Sequence, residues 1–481
     1  MTTITNARVG DSTFDVVLAD SRIASISPAG THPAAGERID VDGRWLLPGL
    51  WDHHVHANQQ ALAVRRIDLS AAASAADAAG TMTDSLARIR LAAGQPIIGH
   101  GFRDGLWPDV PTIELLDAAV PGVPAVLISG DLHCCWLNTP ALALYGYTGH
   151  PTGVLLEDDC FEVVGRLGQV PDATLDEWVA EAATAAAARG VVGVVDYEMT
   201  DNLASWRRRF ATGFDALRVQ AGIYTEDLDA AVAAGHSTGE EIEGSSGLLT
   251  VGQFKILTDG SLNTRTAYCI ENYPGTSERG LLTVPTDQLV PLLRTAWGAG
   301  IHPAVHAIGD EANRLALDAF EMVGCRGRIE HAQLLRKQDF PRFAALGVAA
   351  SVQPEHAMDD RDIAERYWAG RTDRSFAFRS LIDAGAQLLL GSDAPVSPLD
   401  PWVTISAAVS RSREGREPWH PEQRITVGEA LGASTHSRVD VGQVADLIAV
   451  DRDLSTATGD ELRTMPVALT LLAGRPTHRI V

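Results

Sequence analysis

Lysine is nearly absent from this 481-residue chain: of 39 basic residues only Lys255 and Lys337 are lysines, and the rest are arginines. A lysine that persists in such a chain points to chemistry that arginine cannot perform. Positive charge is itself scarce. Against 62 acidic residues the formal net charge is −23, which is not the footprint of a nucleic-acid binder and would be repelled by anionic lipid. Cysteine is sparse: Cys134, Cys135, Cys160, Cys269 and Cys325 form no CxxC pair and leave an odd count. That argues against a disulfide framework or a zinc finger and for a reducing compartment. No apolar run approaches the roughly 20 residues of a membrane span. The first residues carry no basic segment followed by an apolar one. The expectation is a cytoplasmic protein with no nucleic-acid and no membrane partner. A phosphate-binding glycine loop is also missing.

What is present is an α/β alternation. Residues 1–46 read as short strands (TITNARV, FDVVLA, RIASISP, ERIDV, RWLLP) broken by turn residues, and 444–451 and 465–481 read the same way. Neither end is long enough to bury a core alone, so a sandwich built from both is expected. Between them, β-branched runs alternate with Ala- and Leu-rich helical stretches, the pattern of a parallel sheet covered by helices. Ten strand candidates start at 46, 97, 125, 191, 217, 253, 302, 327, 347 and 386. An eight-stranded barrel needs two of these elsewhere. IIGHG (97–101) and AVLISGD (125–131) are assigned to an insert of roughly 60–170. The expected division is a sandwich part at 1–48, a (β/α)8 barrel at 49–435 including the insert, and a second sandwich part at 436–481.

Chemistry concentrates at strand ends. In WDHHVH, His54 and His56 share one face of a strand, can chelate one ion, and have Asp52 one step deeper. A surface histidine cluster is the plain alternative. His306 (AVHAIGD), His331 (RIEHAQ) and Asp393 (LLLGSDAP) each end a predicted strand. A single such histidine is most often a packed core residue, but three corresponding strand ends meet at one barrel mouth. Imidazole and carboxylate donors together suit zinc or another divalent first-row ion. Lys255, in GQFKILTDG, lies in a buried strand. It is either paired, with Asp259 or Glu330, or neutral and able to take up carbon dioxide as a carbamate that bridges two ions.

Taken together, these segments resemble the amidohydrolase superfamily. PGLWDHHVH is similar to its first-strand signature. KILTDGSLNTRTA, HAIGDEA, RIEHAQ, SVQPEH and GSDAPV resemble the YtcJ-like branch (amidohydrolase family 3), which includes N-substituted formamide deformylases. GDLHCCWLNTPAL and GQVADLIAVD resemble two further segments of that branch. The resemblance implies a distorted (β/α)8 barrel with a composite β-sandwich. It implies one divalent ion on His54, His56 and Asp393, a second on His306 and His331, and a carbamylated Lys255 between them. Zinc is expected first, then manganese, cobalt or iron. The chain departs from the branch at Leu132-His133-Cys134, at Gly101-Phe102-Arg103-Asp104 and in a shortened stretch from Ser434 to Gly442.

The implied reaction is hydrolysis of a non-peptide C–N bond in a small amide, N-substituted formamide, carbamate or cyclic amide. A hydroxide shared by ions about 3.5–4 Å apart would be the nucleophile. Asp393 would act as general base and then general acid. His133 and His356 are candidates for an oxyanion donor or substrate contact, and Trp136 and Arg265 for the pocket lining. A lactonase or other ester hydrolase would use the same centre, and a scaffold barrel would have lost ligands that are all present here. A homodimer or larger homo-oligomer is expected from the family.

Overall fold

The computed structural model describes residues 1–31, 36–92 and 94–481. Eight parallel strands form its centre: β1 (Leu50–Val55), β2 (Val191–Asp196), β3 (Arg218–Ile223), β4 (Leu249–Leu257), β5 (Pro303–Ala307), β6 (Gly327–His331), β7 (Val348–Val352) and β8 (Leu388–Leu390). They pair in chain order, each parallel to the next. The ring closes where the chain beyond β8 meets β1. Asp393 N donates to His54 O and His56 N donates to Ala394 O, both at 2.8 Å. Gly391 is needed at this seam, because a Cβ there would stand 2.7 Å from the His54 backbone nitrogen. Strand β2, VVGVVD, is buried at every position, as a β-branched run must be when helices cover it outside and side chains fill the ring within. Helix Asp310–Val323 shows how its covering helices are delimited. Asp310 and Glu311 sit in its first turn, and Gly324 ends it at φ 69°, each placed where the helix dipole and the left-handed cap favour it. The architecture is a (β/α)8 barrel.

The strands Ile97–Phe102 and Ala125–Ser129 lie outside the ring. They are the middle of a five-stranded sheet, in spatial order Val154–Leu156, Cys134–Leu137, Ala125–Ser129, Ile97–Phe102 and Ile67–Asp68, inserted between β1 and β2. Its two faces carry separate apolar clusters, one around Met82, Phe102 and Trp136, the other around Val126, Ile128 and Leu155. Two acidic side chains tie this insert to the loop after β4. Thr266 Oγ1 donates to Glu157 Oε1 at 2.5 Å, and Ser261 Oγ donates to Asp131 Oδ2 at 2.6 Å.

Both chain ends build a third sheet, in the order Arg475–Arg479, Val467–Leu472, Leu447–Val450, Trp45–Pro48, Thr2–Val9, Ser12–Ala19, Arg22–Pro28, with Glu37–Asp40 beside Thr2–Val9. Ile4, Val16 and Leu18 share one buried cluster with Leu447, Leu469 and Leu471. Each end therefore supplies the apolar partner the other lacks. Among the described residues, no helix is long and apolar enough to cross a membrane.

Candidate metal centre

His54 on β1, Lys255 on β4, His306 on β5, His331 at the end of β6 and Asp393 beyond β8 open onto one cavity of about 520 Å³ at the C-terminal mouth of the barrel. Asp393 is its hub. Its Oδ1 lies 3.5 Å from His54 Nε2 and 3.2 Å from His56 Nε2. Its Oδ2 lies 3.9 Å from His331 Nδ1 and 4.0 Å from His356 Nε2. Two donor groups thus share one carboxylate: His54, His56 and Asp393, and His331, His356 and Asp393. His306 stands beside the second group, its ring 4.5 Å from that of His331. Its Nε2 is 3.4 Å from both Asp259 Oδ1 and Gly260 O. His53 faces away, packed against Trp51 and His436.

Two of these positions depend on unusual backbone. Asp393 has φ 59° and His331 has φ 75°, a left-handed region that costs energy for any residue but glycine. At His331 the turn breaks strand alternation. Glu330 and His331 are neighbours, yet both point into the barrel, where Glu330 Oε2 lies 2.7 Å from His54 Nδ1 and His331 Nδ1 lies 2.8 Å from Gln353 Oε1.

The Glu330 contact sets the chemistry of His54. Burial opposes ionising Glu330, but His54, Arg328 and Lys255 hold its carboxyl down at about 2. A carboxylate accepts only, so His54 Nδ1 carries the hydrogen. Burial drives the His54 imidazolium pKa down to about 4, so the ring is neutral near pH 7 and its Nε2 is a lone pair. That atom is buried and has no hydrogen-bond partner among the described residues. It is aimed at the Asp393 carboxylate, which burial disfavours but the surrounding imidazoles keep ionised, well below the usual carboxylate range. A lone pair facing a carboxylate in a dry pocket is repulsive unless a cation lies between them. His356 Nε2 is a second buried orphan near the other Asp393 oxygen. The donor set of imidazoles and a carboxylate oxygen suits a divalent first-row ion. Glu330→Gln is expected to weaken metal binding by roughly 10–100-fold, since it removes the group that fixes the His54 tautomer. Competition against a chelator measures this, and unchanged affinity would rule out that role.

Lys255 is 2% exposed. Neither pairing considered for it forms. Asp259 is occupied by the backbone amides of Ile308, Gly309 and Tyr268, and Glu330 by His54. Lys255 Nζ lies 5.1 Å from the centroid of the Tyr197 ring. Asp52 likewise supports backbone rather than a ligand, its Oδ1 accepting from His54 N at 3.1 Å and Ser392 N at 2.9 Å.

The four substrate-contact candidates divide. His133 lines the cavity, its ring 5.9 Å from that of His306. Its Nδ1 is 2.7 Å from Glu157 Oε2. Burial works against its protonated form, yet Glu157 and Asp131 push its pKa up to about 9. His356 joins the second donor group. Trp136 does not reach the cavity: it is fully buried in the insert core and its Nε1 donates to Thr112 O. Arg265 also turns away, stacking 5.6 Å above the Tyr367 ring. Their segment resembled a site motif, but strand alternation in one case and a positive φ of 61° in the other direct them elsewhere. Sequence reasoning gave no role to Gln353 or Glu157, and treated Glu330 only as a possible lysine partner. Gln353 and Glu330 stand in motifs already singled out, SVQPEH and RIEHAQ, whereas Glu157 has no sequence signal.

Relatives match this chain over nearly its whole length. The solved structure of an uncharacterized metal-dependent hydrolase from Pyrococcus horikoshii OT3 superposes with a TM-score of 0.78 at 25% identity, covering 96% of this chain and 98% of the other. The putative amidohydrolase YtcJ of Bacillus subtilis is 27% identical, over 92% of this chain and 89% of its own. The N-substituted formamide deformylase of Arthrobacter pascens is 26% identical, over 95% and 94%. The amidohydrolase family matches residues 37–478, from the terminal sheet through every strand of the barrel and back, and the chain belongs to that family of metal-dependent C–N hydrolases.

Proposed function

We propose that the protein hydrolyses a non-peptide C–N bond of a small amide, with N-substituted formamides the first class to test, at a centre of two divalent ions. His54, His56, His306, His331 and Asp393 would hold them, with Lys255 as a carbamate between. When bound, such ions polarise a carbonyl and lower the pKa of water. The rest falls to the chain. Asp393, shared by both donor groups, takes a proton from the attacking water and returns it to the leaving nitrogen. His133, held by Glu157 and kept protonated near pH 7, offers an N–H toward the cavity for the developing oxyanion. His356 contributes from the opposite side. Phe161, Val164, Leu175 and Met199 line the wall and keep the carbonyl in an apolar setting. Five free, buried cysteines fit a cytoplasmic protein.

The observation that carries this reading is the orphaned His54 Nε2 facing Asp393. The test is elemental mass spectrometry on protein purified without chelator, followed by chelation. About two ions per chain are expected, with hydrolysis of N-substituted formamides lost on chelation and restored by zinc, manganese or cobalt. A well-folded chain that binds no metal at any added concentration would overturn it.

A further inference from the structure

Arg66 follows the helix Ala57–Ala63, which starts at His56. Arg66 lines the same cavity as the metal-centre residues. Both terminal nitrogens are sealed from solvent and have no hydrogen-bond partner among the described residues. Glu198 is the carboxylate whose charge acts on it, but Glu198 is used elsewhere, accepting from Gln59 N at 3.0 Å and Met199 N at 3.2 Å. Arg208 on the same wall is a contrast: Asp176 accepts from it at 2.8 and 2.9 Å. Nearby, His100 Nε2 is another buried nitrogen without a partner among the described residues. A guanidinium withdrawn from water with no acceptor is costly, and chains retain one where a ligand supplies the acceptor.

We propose that Arg66 recognises a carboxylate on the substrate, so that the compound cleaved is an amide carrying an anionic group at its far end. This rests on the reading of the cavity as a C–N hydrolase site. Arg66 lies ten residues beyond His56, just before the short strand Ile67–Asp68. The seven-residue helix between them is on the order of 10 Å long, which sets the scale of the separation between Arg66 and the His56 end of the cavity. Apolar Leu62, Phe161 and Met199 line the wall. The substrate that fits has the scissile amide at one end, an apolar spacer of about five or six carbons and a carboxylate taken in the two-pronged grip that arginine provides.

The test uses two probes of equal length, 6-formamidohexanoate and N-hexylformamide, on the metal-loaded enzyme and on R66M and R66K. The wild type is expected to show a KM about 30-fold lower for the acid, and R66M to erase that difference while moving the neutral KM less than about twofold. R66K, which keeps charge but not the planar fork, should fall between. The Tm of R66M should be equal or higher, because an unpaired buried charge has been removed. Equal KM values for both probes in the wild type, or an equal rise for both in R66M, would overturn the proposal. If neither probe is hydrolysed, the formamide reading fails separately, and calorimetric titration with hexanoate decides. Binding at least about tenfold tighter to wild type than to R66M upholds the anion site, and equal or absent binding overturns it.

Discussion

Asp393→Asn is expected to lower kcat by roughly 10²–10⁴-fold, the range for losing a positioned proton-transfer group. The substitution suits the site. Asparagine is nearly the same shape, tolerates the left-handed backbone that Asp393 adopts at φ 59°, and leaves the seam bond from Asp393 N to His54 O in place. It keeps one oxygen toward His54 and His56. What it lacks is an atom that can gain a proton and give it up again. KM for the same amide should therefore change far less than kcat, and elemental analysis should still find metal on the purified variant. A drop below about tenfold would mean that another group carries the proton, with His133 the next to test. Loss of metal without recovery at high added metal would make Asp393 a ligand first and leave its proton role unsupported.

The distribution of information between sequence and structure follows from geometry. The barrel strands were legible because buried strands must be continuous apolar runs, and the insert because ten such runs cannot fit an eight-membered ring. His54 and His56 were legible through spacing, since i and i+2 share a strand face. Glu330 was not, because alternation places it opposite His331. Only the positive φ at His331 brings both inward, and no periodicity announces a backbone turn. Glu157 and Arg66 were invisible for a different reason. Glu157 comes from the insert and touches His133 across 24 residues, and Arg66 sits in AVRRIDLS, which reads as an ordinary solvated turn after a helix. Trp136 erred in the opposite direction. It stands within a motif that borders the site, but its own strand face belongs to the insert core.

Lys255→Met is expected to abolish turnover, by at least about 10³-fold, while leaving Tm unchanged or raised. The two halves of that result come from one fact. Lys255 is 2% exposed, and no carboxylate stands within ion-pair distance of its Nζ among the described residues. Burial lowers its pKa despite the pull of Glu330 and Asp393. As a bare cation it is a liability to the fold, so a methionine of similar length should be tolerated or preferred. As a neutral amine it is a nucleophile. Its nitrogen lone pair would add to carbon dioxide: the N–C bond forms, one proton leaves, and the neutral amine becomes an anionic carbamate. Arginine cannot follow this path because it does not give up its proton, and the proposed carbamate would account for a lysine at this one buried position in a chain that otherwise uses arginine almost throughout. Lys255→Arg is thus the decisive companion. It preserves charge and bulk but should be as inactive as Lys255→Met, and a carbamate resonance from ¹³C-labelled bicarbonate should appear in the wild type and in neither variant. Activity of Lys255→Arg within about tenfold of the wild type would mean that a plain cation suffices at this position and would remove the carbamate from the proposed centre.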